Sequence, residues 1–278
     1  MKYIVSSEWL VDRLDDDNVR IIDCRFYLGD SLRGMEEYIR DHIPNALYFD
    51  LEKDLSGKVQ AHGGRHPLPD FSELATKLSA AGIDQQTTVV AYDDQGGAMA
   101  ARFWWLLRYL GHRHVYVLDG GYTKWKETGY PTTEAIVSVK ERTFIPQYEP
   151  SLLATVEEVR KAMEEATAVL VDSRERNRYL GVEEPIDRVA GHIPGAKHIF
   201  WKDSLTDDGF WKEPSEQEKR FAALPKDARI IVYCGSGVTA CPNVLALSEA
   251  GYTNVQLYVG SWSDWISYPE HPIATGEN

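Results

Sequence analysis

The chain has 278 residues, a length that suits two domains of ordinary size better than one. Hydrophobic residues make up 43% and charged residues 26% of it, which is the composition of a soluble globular protein. The sequence has no run of about eighteen apolar residues, so it predicts no membrane span. The formal net charge of −13 disfavours nucleic acid and acidic membrane surfaces as partners.

The N-terminal stretch carries acidic residues early and lacks the long apolar core of a signal peptide, so we predict a cytoplasmic protein. Its cysteines are Cys24, Cys234 and Cys241. Such an odd, sparse set argues against a disulfide framework and fits a reducing compartment.

Four sequence blocks recur in the same order in the two halves of the chain. Asp23 and Asp172 lie 149 residues apart, and Trp125 and Trp265 lie 140 residues apart. This nearly constant spacing indicates a duplicated domain and not a solenoid of many repeats. In chain order, the blocks are residues 19–29, 40–49, 87–97 and 115–125, matched by residues 168–181, 190–199, 228–238 and 255–265.

The boundary between the two copies is predicted within residues 138–155. This stretch has two prolines, mixed charge and no clean amphipathic period. We therefore expect an N-terminal domain over residues 1–140 and a C-terminal domain over residues 152–278.

The elements of the second half can be followed in chain order. Residues 155–166 and 239–251 have helical patterns, the latter closed by a glycine, whereas residues 168–173 and 229–234 are apolar runs typical of buried strands. Because strand–helix alternation implies a parallel sheet with helices on both faces, we predict an α/β fold in each half. Ligands of such sheets bind beyond the carboxyl ends of the strands, where Cys234 lies.

The cysteine at this strand end is followed by a flexible loop. In "CGSGVT" (residues 234–239) two glycines allow the backbone to curl with positive φ, so that successive amide N–H groups can point at one anion. The positive end of the next helix dipole acts in the same direction. We therefore predict a nucleophilic thiolate at Cys234, against the commoner alternative of a small buried structural cysteine.

The motif "CGSGVTAC", with "VDSRERNRYLG" and "GHIPGA" upstream in the same half, resembles the two-domain rhodanese-type sulfurtransferases, and the likeness covers the whole chain. The resemblance implies two tandem rhodanese-like domains with the active site between them. It also implies that the N-terminal copy is catalytically silent, because Asp93 stands where the second copy has Cys234. In this family the cysteine takes a sulfane sulfur from a donor as a persulfide and passes it to an acceptor.

The two positions after the cysteine distinguish the donors in this family. Members that use thiosulfate carry a basic pair there, and members that use 3-mercaptopyruvate carry Gly and then Ser or Thr. This chain has Gly235 and Ser236, so it resembles the mercaptopyruvate type. A monocarboxylate needs less positive charge in the loop than dianionic thiosulfate, which fits this assignment. Thiosulfate as the main donor stays open as the alternative.

The resemblance also implies which residues contact the donor. Arg178 and Arg188 match the family's substrate arginines, whose planar fork pairs with a carboxylate. Without the motif, each would be interpreted as a solvated arginine of a charged loop. Arg174, in the same segment, is expected to support the strand end or the cleft. The loop residues expected to hold the anionic sulfur through their amides are Gly235, Ser236, Gly237, Val238 and Thr239.

The mercaptopyruvate enzymes add a histidine and an aspartate to the serine of the loop. Here His66, before "PLP", takes the place of the histidine and would act with Ser236. Asp50 is the expected aspartate, with Asp54 as the alternative. Such a relay would deprotonate the donor thiol or protonate the leaving enolate. A loop histidine that caps local backbone is the alternative for His66.

Two features that recur in both halves are predicted to be structural. His42 and His192 precede a turn-setting proline in both copies, although the cysteine of the loop occurs in one copy alone. Asp23 and Asp172 likewise recur at strand ends. Shared positions of this kind favour a role in folding over a role in catalysis.

Two other functions are known for rhodanese-like folds. Rhodanese-like folds also host cysteine phosphatases, which need an arginine six residues after the cysteine, and that position is Ala240 here. Inactive rhodanese domains serve as binding modules, but the intact Cys234 with Arg178 and Arg188 speaks against that function.

The expected partners follow from this chemistry. They are a small anionic sulfur donor and a thiol or cyanide acceptor, with thioredoxin among the candidates, and neither nucleic acid nor a membrane. We expect no metal and no cofactor. His62 and His66 are four residues apart, but the two glycines between them oppose a helix, and the cysteine spacing matches no zinc pattern.

Overall fold

Residues 1–277 of the chain are described by a computed structural model, and they separate into two units. The predicted domain limits, 1–140 and 152–278, are continuous ranges, whereas each unit draws on three segments of the chain. Among the described residues, none of the helices has the length and apolar character that crossing a membrane requires. The first unit contains Met1–Gly57, Pro69–Glu149 and Asp207–Trp211, and the second contains Lys58–Leu68, Pro150–Thr206 and the chain from Lys212 onward.

The first unit is built around a five-stranded parallel sheet with the order β1-β5-β4-β2-β3. The strands are β1 (Ile4–Val5), β2 (Val19–Asp23), β3 (Ala46–Tyr48), β4 (Thr88–Tyr92) and β5 (Val115–Leu118). The helices are α1 (Ser7–Val11), α2 (Arg33–Arg40), α3 (Phe71–Ala80), α4 (Ala98–Tyr109) and α5 (Gly121–Glu127).

The second unit repeats this design with a four-stranded parallel sheet of order β7-β6-β8-β9. Its strands are β6 (Val169–Asp172), β7 (Lys197–His198), β8 (Ile230–Tyr233) and β9 (Val255–Leu257). Its α-helices are α6 (Val156–Glu165), α7 (Arg176–Leu180), α8 (Pro214–Arg220), α9 (Cys241–Glu249) and α10 (Ser261–Trp265). Two short 3₁₀ turns cover Pro150–Leu152 and Trp201–Ser204.

The predicted α/β fold is confirmed, and the first sheet has one more strand than the second. In the first unit, β1 pairs with the outer side of β5. At the corresponding place beside β9, Leu153 and Leu257 form an isolated parallel bridge, which the amide of Ala154 extends by donating to the carbonyl of Leu257 at 3.0 Å. The second copy has therefore retained this pairing as a single bridge.

Local sequence explains the elements that carry the second sheet. All four residues of β8 are buried, as expected for a central parallel strand covered on both faces. Helix α6 begins with a capping box in which Thr155 and Glu158 satisfy each other's backbone amides. Helix α9 begins at Cys241, two residues after the predicted start, because the chain turns from Val238 to Cys241 before the helix begins.

A buried Asp–Arg pair ends the corresponding strand in both units. Oδ2 of Asp172 lies 2.6 Å from Nη2 of Arg174, and Oδ2 of Asp23 lies 2.7 Å from Nη2 of Arg25. Both pairs are buried, and Arg174 also donates to the carbonyl of Gly191 at 2.6 Å. Breaking such a pair leaves an uncompensated buried charge, which costs about 3 to 5 kcal/mol. The predicted structural role of these aspartates, and of Arg174 at the strand end, is confirmed.

Candidate functional site

Cys234 follows β8 directly and lies at the carboxyl edge of the second sheet. The register pairs Tyr233, the last residue of β8, with Asp172, the last residue of β6, so the two strands end together. Cys234 is 1% exposed and begins the loop of residues 234–240 that leads into α9. The predicted position of the thiol beyond the end of a parallel strand is therefore confirmed.

The loop brings a backbone amide to the sulfur. Gly237 donates from its N–H to Sγ of Cys234 at 3.2 Å. Gly237 has φ of +76°, and a Cβ atom there would lie 2.2 Å from the carbonyl oxygen of Val259. Glycine is thus needed at this position for both the conformation and the close approach. An N–H donor aimed at the sulfur can stabilise negative charge that develops there during a reaction.

The carbonyl groups at the start of the loop are held by α10. The amide of Trp262 donates to the carbonyl of Cys234 at 2.9 Å, and that of Ser263 donates to the carbonyl of Gly235 at 3.0 Å. Ser261, with φ of +54°, accepts the N–H of Cys234 on its hydroxyl at 3.1 Å. These contacts fix the orientation of the first peptide groups of the loop.

The structure brings two of the predicted site residues together. Nδ1 of His66 lies 2.8 Å from Oγ of Ser236, and both side chains are buried. His66 belongs to the short segment Lys58–Leu68 that is part of the second unit. A pair of this geometry can exchange a proton between the hydroxyl and the imidazole.

The segment that carries His66 is fixed by backbone contacts to α10. Gly63 donates its N–H to Oδ1 of Asp264 at 2.7 Å, and Arg65 donates its N–H to Oγ of Ser263 at 3.1 Å. Gly64 has φ of +80°, and a Cβ atom there would lie 2.3 Å from the carbonyl oxygen of Gly260. Glycine at position 64 therefore allows the segment to lie close against the backbone at the start of α10.

Asp50 belongs to the first unit, where its carboxylate organises a turn. Oδ1 of Asp50 accepts the amides of Glu52 at 2.8 Å and Lys53 at 2.9 Å, and the side chain is buried. The alternative residue, Asp54, accepts the N–H of Asp50 at 2.7 Å and forms an ion pair with Lys77. The part of either aspartate in a relay stays a prediction.

The two predicted substrate arginines differ in their surroundings. Arg178 is buried and forms ion pairs with Glu184 at 2.8 Å and Asp187 at 3.1 Å. A Cβ atom at Gly235 would lie 3.3 Å from Nη2 of Arg178, which places this guanidinium against the loop. Arg188 is exposed and donates to the carbonyl of Ile266 at 2.5 Å.

A second guanidinium against the loop was missed in the sequence. A Cβ atom at Gly235 would lie 3.0 Å from Nη2 of Arg65, and Nη1 of Arg65 is paired with Asp187. A side chain at position 235 would press on these guanidinium groups, so Gly235 leaves room for them beside the loop. The signal was present in "HGGRHPLPD", where Arg65 stands between the glycines and His66, but nothing local indicates that it reaches residue 235.

The end of the loop and the other cysteines have structural contacts. Val238 is buried and accepts the N–H of Cys241 at 3.0 Å, and Thr239 is half-buried. Sγ of Cys241 donates to the carbonyl of Gly237 at 3.3 Å, so this thiol supports the loop. Complete burial raises the pKa of the Cys24 thiol well above its usual value, so this thiol stays protonated at neutral pH.

The matching loop of the first unit shows what this design can bind. Asp93 follows β4 as Cys234 follows β8, and its carboxylate is buried. Four backbone amides converge on that carboxylate at 2.8 to 2.9 Å, from Gln95, Gly97, Met99 and Ala100. A loop of this kind therefore forms a nest for an anion at the position where the second copy has a sulfur atom.

The fold and this loop define the rhodanese class of proteins. A family model described as Rhodanese-like domain matches residues 6–128 and 155–268. The chain belongs to this family, and the predicted family and duplication are confirmed.

Named relatives are similar over almost the whole chain. A probable 3-mercaptopyruvate sulfurtransferase of Pseudomonas aeruginosa is 45% identical over 99% of this chain and 98% of that protein. The thiosulfate sulfurtransferase of Bos taurus is 34% identical over 99% of this chain and 96% of its own length. The solved structure of a 3-mercaptopyruvate sulfotransferase from Escherichia coli is 33% identical with a TM-score of 0.83, over 95% of this chain and 100% of that one. These relatives agree with the sulfurtransferase class that the resemblance implies.

Proposed function

We propose that this protein is a sulfurtransferase that moves a sulfane sulfur from 3-mercaptopyruvate to a thiophilic acceptor through a persulfide on Cys234. The observation that carries the proposal is the contact of the Gly237 amide with Sγ of Cys234 in a loop that continues as Gly235 and Ser236. The named relatives support the sulfurtransferase class, and the loop sequence supports the donor.

Arginine side chains next to the loop would hold the donor. The guanidinium group of Arg178, and that of Arg188 by resemblance to the family, would bind the carboxylate and the keto oxygen of 3-mercaptopyruvate. Arg65 lies against Gly235 on the same side as Arg178 and would join them. A site of this kind places the donor sulfur beside the thiolate, which is the main requirement for the displacement.

The first half-reaction is a displacement at sulfur. The thiolate of Cys234 attacks the sulfur of the donor, the new S–S bond forms, and the C–S bond breaks with its electron pair left on carbon as the enolate of pyruvate. The amides of residues 235–239 would stabilise the anionic sulfur, as preorganised donors do in an oxyanion hole. Ser236 and His66, oriented by Asp50, would give the enolate its proton.

The second half-reaction returns the enzyme to its starting state. A thiolate or cyanide attacks the outer sulfur of the persulfide, the S–S bond breaks, and its electron pair returns to Cys234 as a thiolate. We propose that the protein acts in the cytoplasm, because its three cysteines are free thiols, which fits a reducing compartment. The acceptor there would be a thiol, thioredoxin included. In this scheme residues 152–278 are the catalytic domain, and residues 1–140 are a silent copy.

The donor assignment is tested by steady-state kinetics with both donors and cyanide as the acceptor. We expect kcat/KM for 3-mercaptopyruvate to exceed that for thiosulfate by about tenfold or more, because the loop offers no basic side chain to a dianion. A higher kcat/KM for thiosulfate would overturn the donor assignment and leave the persulfide chemistry in place. The absence of thiocyanate from both donors, in a well-folded preparation, would overturn the function and favour a binding module.

The proton relay predicts a donor-dependent effect of the Ser236→Ala variant. We expect kcat with 3-mercaptopyruvate to fall about 100-fold, because the enolate loses its proton source. Thiosulfate releases sulfite, which needs no such proton, so kcat with thiosulfate should change by less than about threefold.

A matched control for this variant is present in the same unit. Ser267 also contacts a histidine, with its Oγ 2.7 Å from Nδ1 of His62, and lies in the segment after α10. The Ser267→Ala variant should leave both donor reactions unchanged. Equal losses with both donors in Ser236→Ala would contradict the relay and indicate a structural role for the hydroxyl.

A further inference from the structure

Asp187 places a carboxylate between the two guanidinium groups that lie against the loop. Its Oδ1 atom is paired with Arg65, and its Oδ2 atom lies 3.1 Å from Nη2 of Arg178. The Asp187 side chain is 4% exposed and that of Arg65 is 29% exposed, so this bridge is partly buried. Both oxygens of one carboxylate are thus bound by two arginines, which is the pattern by which a small carboxylate ligand is recognised.

This bridge lies directly beside the residue that follows the nucleophile. A Cβ atom at Gly235 would lie 3.0 Å from Nη2 of Arg65, 3.3 Å from Nη2 of Arg178 and 3.6 Å from Oδ2 of Asp187. The carboxylate of Asp187 therefore lies beside the residue that follows Cys234, between two arginines that the proposed function assigns to the donor.

The second acid of the cluster has a different role. Glu184 accepts from Nε of Arg178 at 2.9 and 3.0 Å and also pairs with Arg174 at 3.2 Å. Arg174 is held in turn by Asp172 at the end of β6. Glu184 is therefore a positioning residue that fixes Arg178 to the sheet, whereas Asp187 fills the space between Arg178 and Arg65.

We propose that Asp187 is an internal competitor for the donor carboxylate and that it sets the selectivity of the site for donor charge. This inference rests on the proposed function, because the ligand that it competes with is the donor of that reaction. A monocarboxylate can replace the Asp187 carboxylate between the arginines without changing the net charge there. Dianionic thiosulfate would bring one negative charge more than it displaces, and the partly buried location increases the cost of that excess.

The test is the Asp187→Asn variant, with both donors measured side by side. Removing the competing charge should lower KM for 3-mercaptopyruvate by about threefold to tenfold, as expected when a site blocked most of the time becomes accessible. KM for thiosulfate should fall further, by at least about tenfold, and kcat should stay within about twofold, because Asp187 does not touch the sulfur. The Asp187→Ala variant should shift KM in the same direction.

Glu183→Gln is the matched control, since it removes the same charge from the same loop at an exposed position. If KM shifts as much in Glu183→Gln as in Asp187→Asn, the effect comes from the overall negative charge of the loop, and the competition is overturned. Higher KM for both donors in Asp187→Asn and Asp187→Ala would also overturn it, because Asp187 would then serve to position the arginines.

Calorimetric titration with pyruvate separates this inference from the proposed function. Pyruvate carries the same carboxylate and keto oxygen as 3-mercaptopyruvate and needs no turnover to bind. Tighter pyruvate binding by Asp187→Asn than by the native protein supports the competition even if 3-mercaptopyruvate proves not to be a donor. Unchanged or weaker pyruvate binding overturns the competition even if the sulfur transfer is observed.

Discussion

A Cys234→Ser variant is expected to lose sulfur transfer from every donor, by a factor of about 10⁴ or more. A serine hydroxyl is not ionised at neutral pH and cannot carry a second sulfur atom as a persulfide. The loop itself should be unaffected, because the Gly237 amide can donate to an oxygen as it does to Sγ. Intact-protein mass spectrometry after exposure to 3-mercaptopyruvate measures the result directly: the native protein gains one sulfur atom, and the variant gains none.

The other two thiols supply the controls for this experiment. Cys241→Ser keeps a donor for the carbonyl of Gly237, and Cys24→Ser changes a thiol that is buried in the first unit. Both variants should therefore gain one sulfur atom as the native protein does. A persulfide in the Cys234→Ser variant, or its loss in Cys241→Ser, would move the chemistry away from residue 234 and contradict the proposed function.

The parts of the site that the sequence predicts are those coded by short segments. The apolar run before Cys234 indicates a buried strand, and the glycines after it indicate a tight loop, so the place of the thiol follows from about ten consecutive residues. The duplication adds a second comparison, because Asp23 and Asp172 recur at strand ends and are both paired with a buried arginine. The start of helix α6 is also encoded locally, because its capping box is formed by the residues that begin the helix.

The other parts of the site depend on contacts between residues that are distant in sequence. Arg65 and Asp187 are 122 residues apart, and each looks like an ordinary charged loop residue in its own segment. Their pairing arises because residues 58–68 belong to the second unit, which no local pattern of that segment indicates. The close fit around Gly235 has the same origin, since it comes from the guanidinium groups that lie against it and not from its backbone conformation.

The two copies also show how one loop design can serve stability or chemistry. In the first unit, the anion in the nest is part of the chain, because the Asp93 carboxylate accepts four amides. Complete burial raises the pKa of the Asp93 carboxyl, and the amide hydrogen bonds act in the opposite direction. In the second unit, Cys234 offers a smaller side chain at this position, and the proposed reaction supplies the negative charge on sulfur. The first copy therefore presents, at this loop, converging amides of the kind that the proposed catalysis would use.

The Asp93→Ala variant is expected to destabilise the first unit by on the order of 4 kcal/mol. It leaves four amides without their acceptor in a fully buried place, and each unsatisfied group carries a cost of its own. Because two units need not unfold together, hydrogen exchange by mass spectrometry is the appropriate measurement. Peptides from β4 and α4 should exchange about 10³-fold faster, and peptides from β8 and α9 should exchange as in the native protein.

Asp94→Asn is the control, since it removes one negative charge from the same loop while an amide oxygen can still accept the hydrogen bond from Tyr27. In this variant, the free energy of opening that exchange reports for β4 and α4 should fall by less than about 1 kcal/mol. If Asp93→Ala exchanges no faster than Asp94→Asn, the four amides are satisfied without the carboxylate, and the nest has no intrinsic need for an anion. The proposed stabilisation of sulfur by the matching loop around Cys234 would then lose the support that the comparison of the two loops gives it.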